Sequence, residues 1–173
     1  MKRSLILPAI CLAVQAAIIP SLSLEELVDQ SEIILHGRIG RAWSAWDASH
    51  KYIWTHHQLT VIDSIRGASR SVVVSEPGGS LDGMNMAISG GLEYGAGEEV
   101  VVFLYRTPIG YMRATGYGQG KYTVTPQRRV HANLKGLELM ERRAKGGVAL
   151  STLEGLSVED FKARVRAALP SRR

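Results

Sequence analysis

Cysteine is almost missing from these 173 residues: the single one, Cys11, lies in a segment expected to be removed on export. A mature chain without cysteine has no disulfide staple, no thiolate zinc site and no cysteine nucleophile, so its stability must come from packing. No apolar run reaches the ~20 residues that a membrane-crossing helix needs. No histidine is followed by glutamate, which excludes the zincin helix. The nearest approach to a nucleophile elbow, Gly78-Gly79-Ser80-Leu81-Asp82, has Asp82 where the last glycine belongs. A phosphate loop is excluded as well, because Gly120-Lys121 is followed by Tyr122 and Thr115 stands in place of the first glycine. No cofactor is called for.

What is present begins with an address. Lys2 and Arg3 precede an apolar run over residues 5–13 that closes at Val14-Gln15-Ala16. A charged start, a short apolar centre and a small residue at the end are the marks of a secretory signal peptide. Residues 1–16 are therefore expected to be cut away, leaving residues 17–173 as one periplasmic or secreted domain with no transmembrane segment. A cut after Ser23 also satisfies the small-x-small rule, at the loss of a helix cap. Pro8-Ala9-Ile10 ahead of Cys11 lack the leucine and small residues of a lipoprotein signal, so no lipid anchor is expected. A secreted domain without cysteine suits a bacterial envelope.

Charge is uneven: residues 17–126 hold eight Lys/Arg against eleven Asp/Glu, and residues 127–173 hold eleven against five. The basic residues of the second part are interspersed with Glu138, Glu141 and Glu154, which reads as a solvated face and not as a nucleic-acid footprint.

Along the chain, Ser23 and Glu26 form a capping box for a short helix, with Leu24, Leu27 and Val28 on one face. From Glu32 the period changes to two. Residues 33–39 then read as a half-buried strand with Ile33, Leu35, Gly37 and Ile39 on one side and His36 and Arg38 on the other. Residues 53–65 alternate again, with Ile53, Leu59 and Val61 inward, and residues 71–76 form a third strand that Pro77-Gly78-Gly79 ends. Residues 78–97 hold seven glycines and no sustained period, which predicts a long loop or a weak ribbon. The continuous apolar run at residues 100–105 predicts a strand covered on both sides. Two more strands, at 111–115 and 121–125, flank a glycine-rich turn; residues 128–150 fit no period. Ser157 and Asp160 cap a last helix whose stripe of Val158, Phe161, Val165 and Leu169 opposes Lys162, Arg164 and Arg166. Five or six strands with a helix at each end predict a mainly β fold, a small antiparallel OB-like barrel.

Three groups of residues carry candidate chemistry. The loop over residues 78–91 offers Gly78, Gly79, Asp82, Gly83, Met84, Asn85 and Met86, where glycine allows close backbone approach and methionine adapts to a partner's surface; the methionines alternatively cover the end of the barrel. Trp43, Trp46 and Trp54 cluster around the first hairpin, either as a platform for sugars or a partner, or as a seal on the core. Ser80, or a grouping of His56, Asp82 and Glu76, would centre a hydrolase site if these groups converged within hydrogen-bond reach in a cleft. His56 and His57 point to opposite faces of a strand and do not readily share a metal ion.

The order Ser23-Leu24-Glu25-Glu26-Leu27-Val28, Ile33 to Ile39, Leu59-Thr60-Val61 with Arg66-Gly67, Pro77-Gly78-Gly79, Gly97-Glu98-Glu99-Val100-Val101-Val102-Phe103-Leu104 and Gln119-Gly120-Lys121-Tyr122 resembles a group of uncharacterised exported bacterial proteins. More remotely, a strand pair ending in a basic residue plus glycine, then Gly-Glu-Glu and an apolar run, is similar to the netrin-like modules of tissue inhibitors of metalloproteinases. That resemblance implies an OB-type barrel; the cysteine-based zinc chelation of those inhibitors has no counterpart here. The expectation is an exported, non-enzymatic binding module that engages a protein partner in the cell envelope, an exported protease among the possibilities. The alternatives are an envelope hydrolase and a cell-wall or carbohydrate-binding domain.

Overall fold

The computed structural model describes residues 17–68, 70–140 and 147–170; the expected signal peptide lies outside them. The fold is mainly β with two α-helices. In chain order the elements are β1 (Ala17–Pro20), α1 (Leu24–Asp29), β2 (Ile33–Trp46), β3 (Ile53–Arg66), β4 (Ser71–Pro77), β5 (Gly79–Leu81), β6 (Met84–Met86), β7 (Glu99–Arg106), β8 (Met112–Ala114), β9 (Lys121–Val124), β10 (Val130–Ala132), β11 (Leu137–Met140) and α2 (Val158–Ala167). No helix among the described residues is long and apolar enough to cross a membrane.

A seven-stranded sheet runs in the order β10-β9-β7-β2-β3-β4-β8. Strand β8 pairs in parallel with β4 at Val74 and Met112, and antiparallel with β7 from Leu104–Ala114 to Arg106–Met112. The long β2–β3 hairpin is turned by Asp47, whose carboxylate accepts hydrogen bonds from the Ser49 hydroxyl and from the Lys51 and Tyr52 amides. Led by the Ser49 bond, these hold its pKa near 2.

Strand β7 divides two apolar clusters, which explains its unbroken apolar sequence. Val101 and Phe103 face Leu24, Leu27 and Val28 of α1 and Phe161 and Val165 of α2, whereas Val100, Val102 and Leu104 face Leu35, Ile39, Leu59, Val74 and Met112. Each fully buried side chain of this size contributes roughly 1.5–3 kcal/mol.

The same division corrects the reading of β2. Its first half is buried on both faces, because Ile34 packs under the helices and His36 is only 1% exposed. The strand also continues to Trp46, with register shifts at Ile34/Leu35, His36/Gly37 and Ile39/Ala42 that break simple alternation. Gly37 is required at one of them, since a Cβ there would lie 2.7 Å from the Thr60 carbonyl oxygen. Lys162, expected on the solvated face of α2, is instead buried against β3. Its ammonium donates to Asp63 Oδ2 at 2.9 Å, and Arg166 donates to the same oxygen at 2.6 Å.

Both helix caps form, with one difference. Ser23 and Glu26 exchange both bonds of the capping box, at 3.2 and 3.0 Å. Ser157 Oγ accepts from the Asp160 amide at 3.1 Å, but the Asp160 carboxylate bonds the hydroxyl and not the cap backbone. Within residues 128–150, β10 extends the sheet and β11 pairs in parallel with β1. β10 follows β9 across a short turn, whereas β11 takes its order from a partner distant in sequence, which no local period announces.

Candidate functional site

Strand β4 ends at Pro77, which has no ladder donor, and the chain then turns through Gly78 (φ 111) and Gly79 (φ 128). Side-chain-bearing residues rarely adopt such angles, so the glycines are structural necessities here. A Cβ on Gly79 would lie 2.2 Å from Thr55 Oγ1, because the chain is laid directly on the β2–β3 hairpin. From this point residues 78–97 begin as a short antiparallel ribbon of β5 and β6. Its tip is Asp82-Gly83, both with positive φ, the geometry of a tight hairpin turn. The Trp46 indole N–H donates to Asp82 Oδ2 at 3.3 Å and ties the tip to β2, and the Ser80 hydroxyl donates to Asn85 Oδ1 across the ribbon.

Beneath the ribbon lies a cavity of about 460 Å³. Gly78, Gly79, Asn85 and Met86 of the ribbon segment line it, together with Ile88 and Leu92 and with His57, Glu76 and Tyr94. These last three are buried, at 6%, 3% and 8% exposure. Glu76 Oε2 accepts from Arg113 Nε and Nη2 at 3.1 and 3.0 Å, and Oε1 accepts from the Ala114 amide at 3.1 Å. Burial pushes this carboxyl up, against the opposing pull of the Arg113 charge and of these hydrogen bonds. The Lys121 ammonium lies 4.5 Å from the Tyr94 ring centroid and donates to the Glu93 carbonyl and to Glu98 Oε2, at 2.6 and 2.9 Å. Glu76 and Lys121 are thus each matched by a neighbour.

Two polar atoms of the lining residues are not matched. His57 Nδ1 and Tyr94 Oη are buried without a hydrogen-bond partner, although the two rings are only 4.9 Å apart. An unpaired buried polar atom costs about 1–3 kcal/mol, and His36 Nδ1 and Tyr122 Oη are buried in the same way elsewhere in the fold. Burial, followed by the charges of Lys121 and His56, pushes His57 below its ordinary value and keeps the ring neutral at pH 7. Burial, followed by the charges of Glu76 and Glu98, raises the Tyr94 phenol well above its usual range.

The structure sorts the sequence candidates. Gly78, Gly79, Asn85 and Met86 line the cavity, whereas Asp82, Gly83 and Met84 form the exposed tip. Of the hydrolase set, Ser80 and Glu76 line the cavity, Asp82 bonds Trp46, and His56 Nδ1 pairs with Ser75 Oγ at 2.7 Å. No hydrogen bond joins those four among the described residues. The tryptophans do not form one platform. Trp43 is half-buried with its ring on His56 at 5.3 Å and the Arg41 guanidinium at 4.8 Å, Trp46 holds the ribbon tip, and Trp54 is buried edge-on to Tyr111 at 4.9 Å.

Sequence reasoning missed two residues that line the cavity, His57 and Tyr94. His57 shares the odd-numbered parity of Ile53, Leu59 and Val61, so the alternation already placed it inward. Tyr94 lies in an aperiodic segment and gave no sign. Among the described residues no group of three or more His, Cys, Asp or Glu is arranged to hold a metal ion. No protein-family model matches the chain, and no curated protein matches it significantly.

Proposed function

We propose that this chain is an exported, non-enzymatic binding module, in which the β5–β6 ribbon and the cavity beneath it take an extended segment of a protein partner in the cell envelope. An exported protease is the partner class to test first. The observation that carries the reading is the cavity itself, lined by a glycine-tethered ribbon together with the buried His57, Glu76 and Tyr94. Against the hydrolase reading, the Ser80 hydroxyl is engaged by Asn85, and no base stands within hydrogen-bond reach of it among the described residues.

The scaffold belongs to the same proposal. Strand β8 touches both β4 and β7, so the pairings β7-β2-β3-β4-β8 return to β7, and β4–β8 is the one parallel contact in the ring. Such a circuit is what an OB-like barrel requires, with a binding loop carried at one end of a rigid frame.

The test is affinity capture from the native envelope by mature protein, beside a chain lacking residues 84–88. A partner held by the first and lost by the second, with the purified pair then binding directly, supports the module. Equal capture by both chains, or none by either, overturns it.

A further inference from the structure

A second cavity, of about 360 Å³, lies where the end of α1 meets the β7–β8 hairpin, and it shares no lining residue with the ribbon cavity. Arg113 lines it and is held firmly. Nε and Nη2 donate to Glu76 Oε2 at 3.1 and 3.0 Å, and the guanidinium carbon lies 5.8 Å from the Trp54 ring centroid and 5.7 Å from that of Tyr117. Nη1 makes no hydrogen bond among the described residues, yet it is not one of the buried unpaired atoms, so it is open to solvent. The Tyr105 and Tyr117 hydroxyls and the Gln30 carboxamide also line the cavity and are likewise unbonded and open. Tyr117 has φ 55, a left-handed conformation that bulky residues rarely adopt, while its ring is 38% exposed. Core packing does not explain a large ring kept outside the core in such a backbone.

We infer that this second cavity binds an uncharged sugar ring, independently of the ribbon. Glu76 already balances the Arg113 charge, and no other charged residue lines the cavity among the described residues. An ionic ligand therefore gains no net countercharge on leaving water. The open groups are of two kinds: Nη1 only donates, whereas the two phenols and the carboxamide donate or accept. A sugar ring matches this lining twice over, with hydroxyls around its rim that do both and C–H faces that lie on an aromatic ring. An apolar ligand would strip water from the four polar groups and return nothing. A peptide unit offers one donor and one acceptor, so it meets fewer of the four. The volume lies in the range of small-ligand sites.

The mature chain with ¹³C-labelled tyrosine is titrated with cellotriose and with the N-acetylglucosamine trimer. Trigalacturonate and N-acetyl-trialanine amide serve as charged and peptide probes. The expected result is a saturable shift of the Tyr105 and Tyr117 ring resonances with a neutral oligosaccharide, at a Kd of about 1 mM, while Tyr94 in the ribbon cavity stays unmoved. Tyr117→Gly suits the left-handed backbone, so it should move Tm by less than about 4 °C and weaken sugar binding about tenfold. Gln30→Ala, at an exposed position, should weaken it about threefold, and it decides the matter if Tyr117→Gly does not fold. Tyrosine resonances unmoved by either oligosaccharide up to about 10 mM overturn the inference. So does a charged or peptide probe that binds as tightly as the sugars, a shift at Tyr94 in place of Tyr105 and Tyr117, or full affinity in the variants. If the sugars fail while ribbon-dependent capture persists, the sugar site is wrong and the binding module stands; if they bind and no capture depends on the ribbon, the reverse holds.

Discussion

Glu76 and Arg113 hold one another at the edge of the cavity, with side chains 4% and 16% exposed. Removing one partner from such a pair leaves the other stranded, which costs 3–5 kcal/mol when burial is complete. Arg113 can turn partly to solvent, so Glu76→Ala is expected to cost about 2–3 kcal/mol in urea unfolding. Glu76→Gln keeps an acceptor for the Ala114 amide and should cost less. The histidines set the pH response. Burial lowers both His56 and His57 below 6.5, so in the acid range the unfolded chain takes protons that the folded chain refuses. Stability is then full above about pH 6.5 and falls as pH drops below it. Glu98, Glu99 and Asp63 have lowered values and withdraw their contribution only below about 4.5. Glu76, raised by burial, acts in the opposite sense, so the Glu76→Gln background isolates the histidine effect. In that background, His57→Phe should flatten the loss between about pH 6.5 and 5, measured as urea midpoints; an unchanged slope would place the effect elsewhere.

At the scale of elements, the largest side chain that α2 places in the core is the Phe161 ring. Phe161 lies 4.5 Å from Tyr122 and 6.3 Å from Phe103, centroid to centroid, between helix and sheet. Phe161→Ala should cost about 3–5 kcal/mol, read by chemical denaturation. A glycine in the turn before β9 is constrained just as firmly: a Cβ on Gly118 would fall 1.8 Å from the Asn133 carbonyl oxygen, and that atom belongs to backbone. Gly118→Ala is expected to destabilise by about 2–3 kcal/mol, with displaced amide resonances at both segments. The elements legible in the sequence are those with local causes: the Ser23 and Ser157 caps, the parity of β3, the doubly covered β7. Pairing between distant segments was not legible. The β1–β11 pair and the buried outer face of β2 depend on what the rest of the chain brings against them. The site was legible in halves for the same reason. Glycines that turn the chain declare themselves, whereas Tyr94 becomes a site residue only because the fold sets its ring against His57 of β3 and Lys121 of β9.

At the scale of the whole molecule, scaffold and site separate. Neither apolar cluster includes a residue of the ribbon, and Asp82, Gly83, Met84 and Asn85 are exposed. The ribbon and His57 nevertheless line the same cavity, and burial is the leading cause of that histidine's lowered value. These two statements predict opposite responses to one change. Replacing residues 80–87 by a short glycine-serine linker should move Tm by less than about 4 °C, the equivalent of roughly 1 kcal/mol in a domain of this size. The same change should raise the His57 pKa towards 6.5, followed by the imidazole resonances through a pH titration. A collapse in Tm would make the ribbon a clamp on the fold and remove the ground for treating it as a binding element. An unchanged His57 in a stable variant would mean that residues 88–94 and β3 alone exclude water, placing the site deeper than a partner held by the ribbon could reach. Only a stable fold with a rehydrated histidine fits a rigid frame carrying a cover over a site that something else is built to fill.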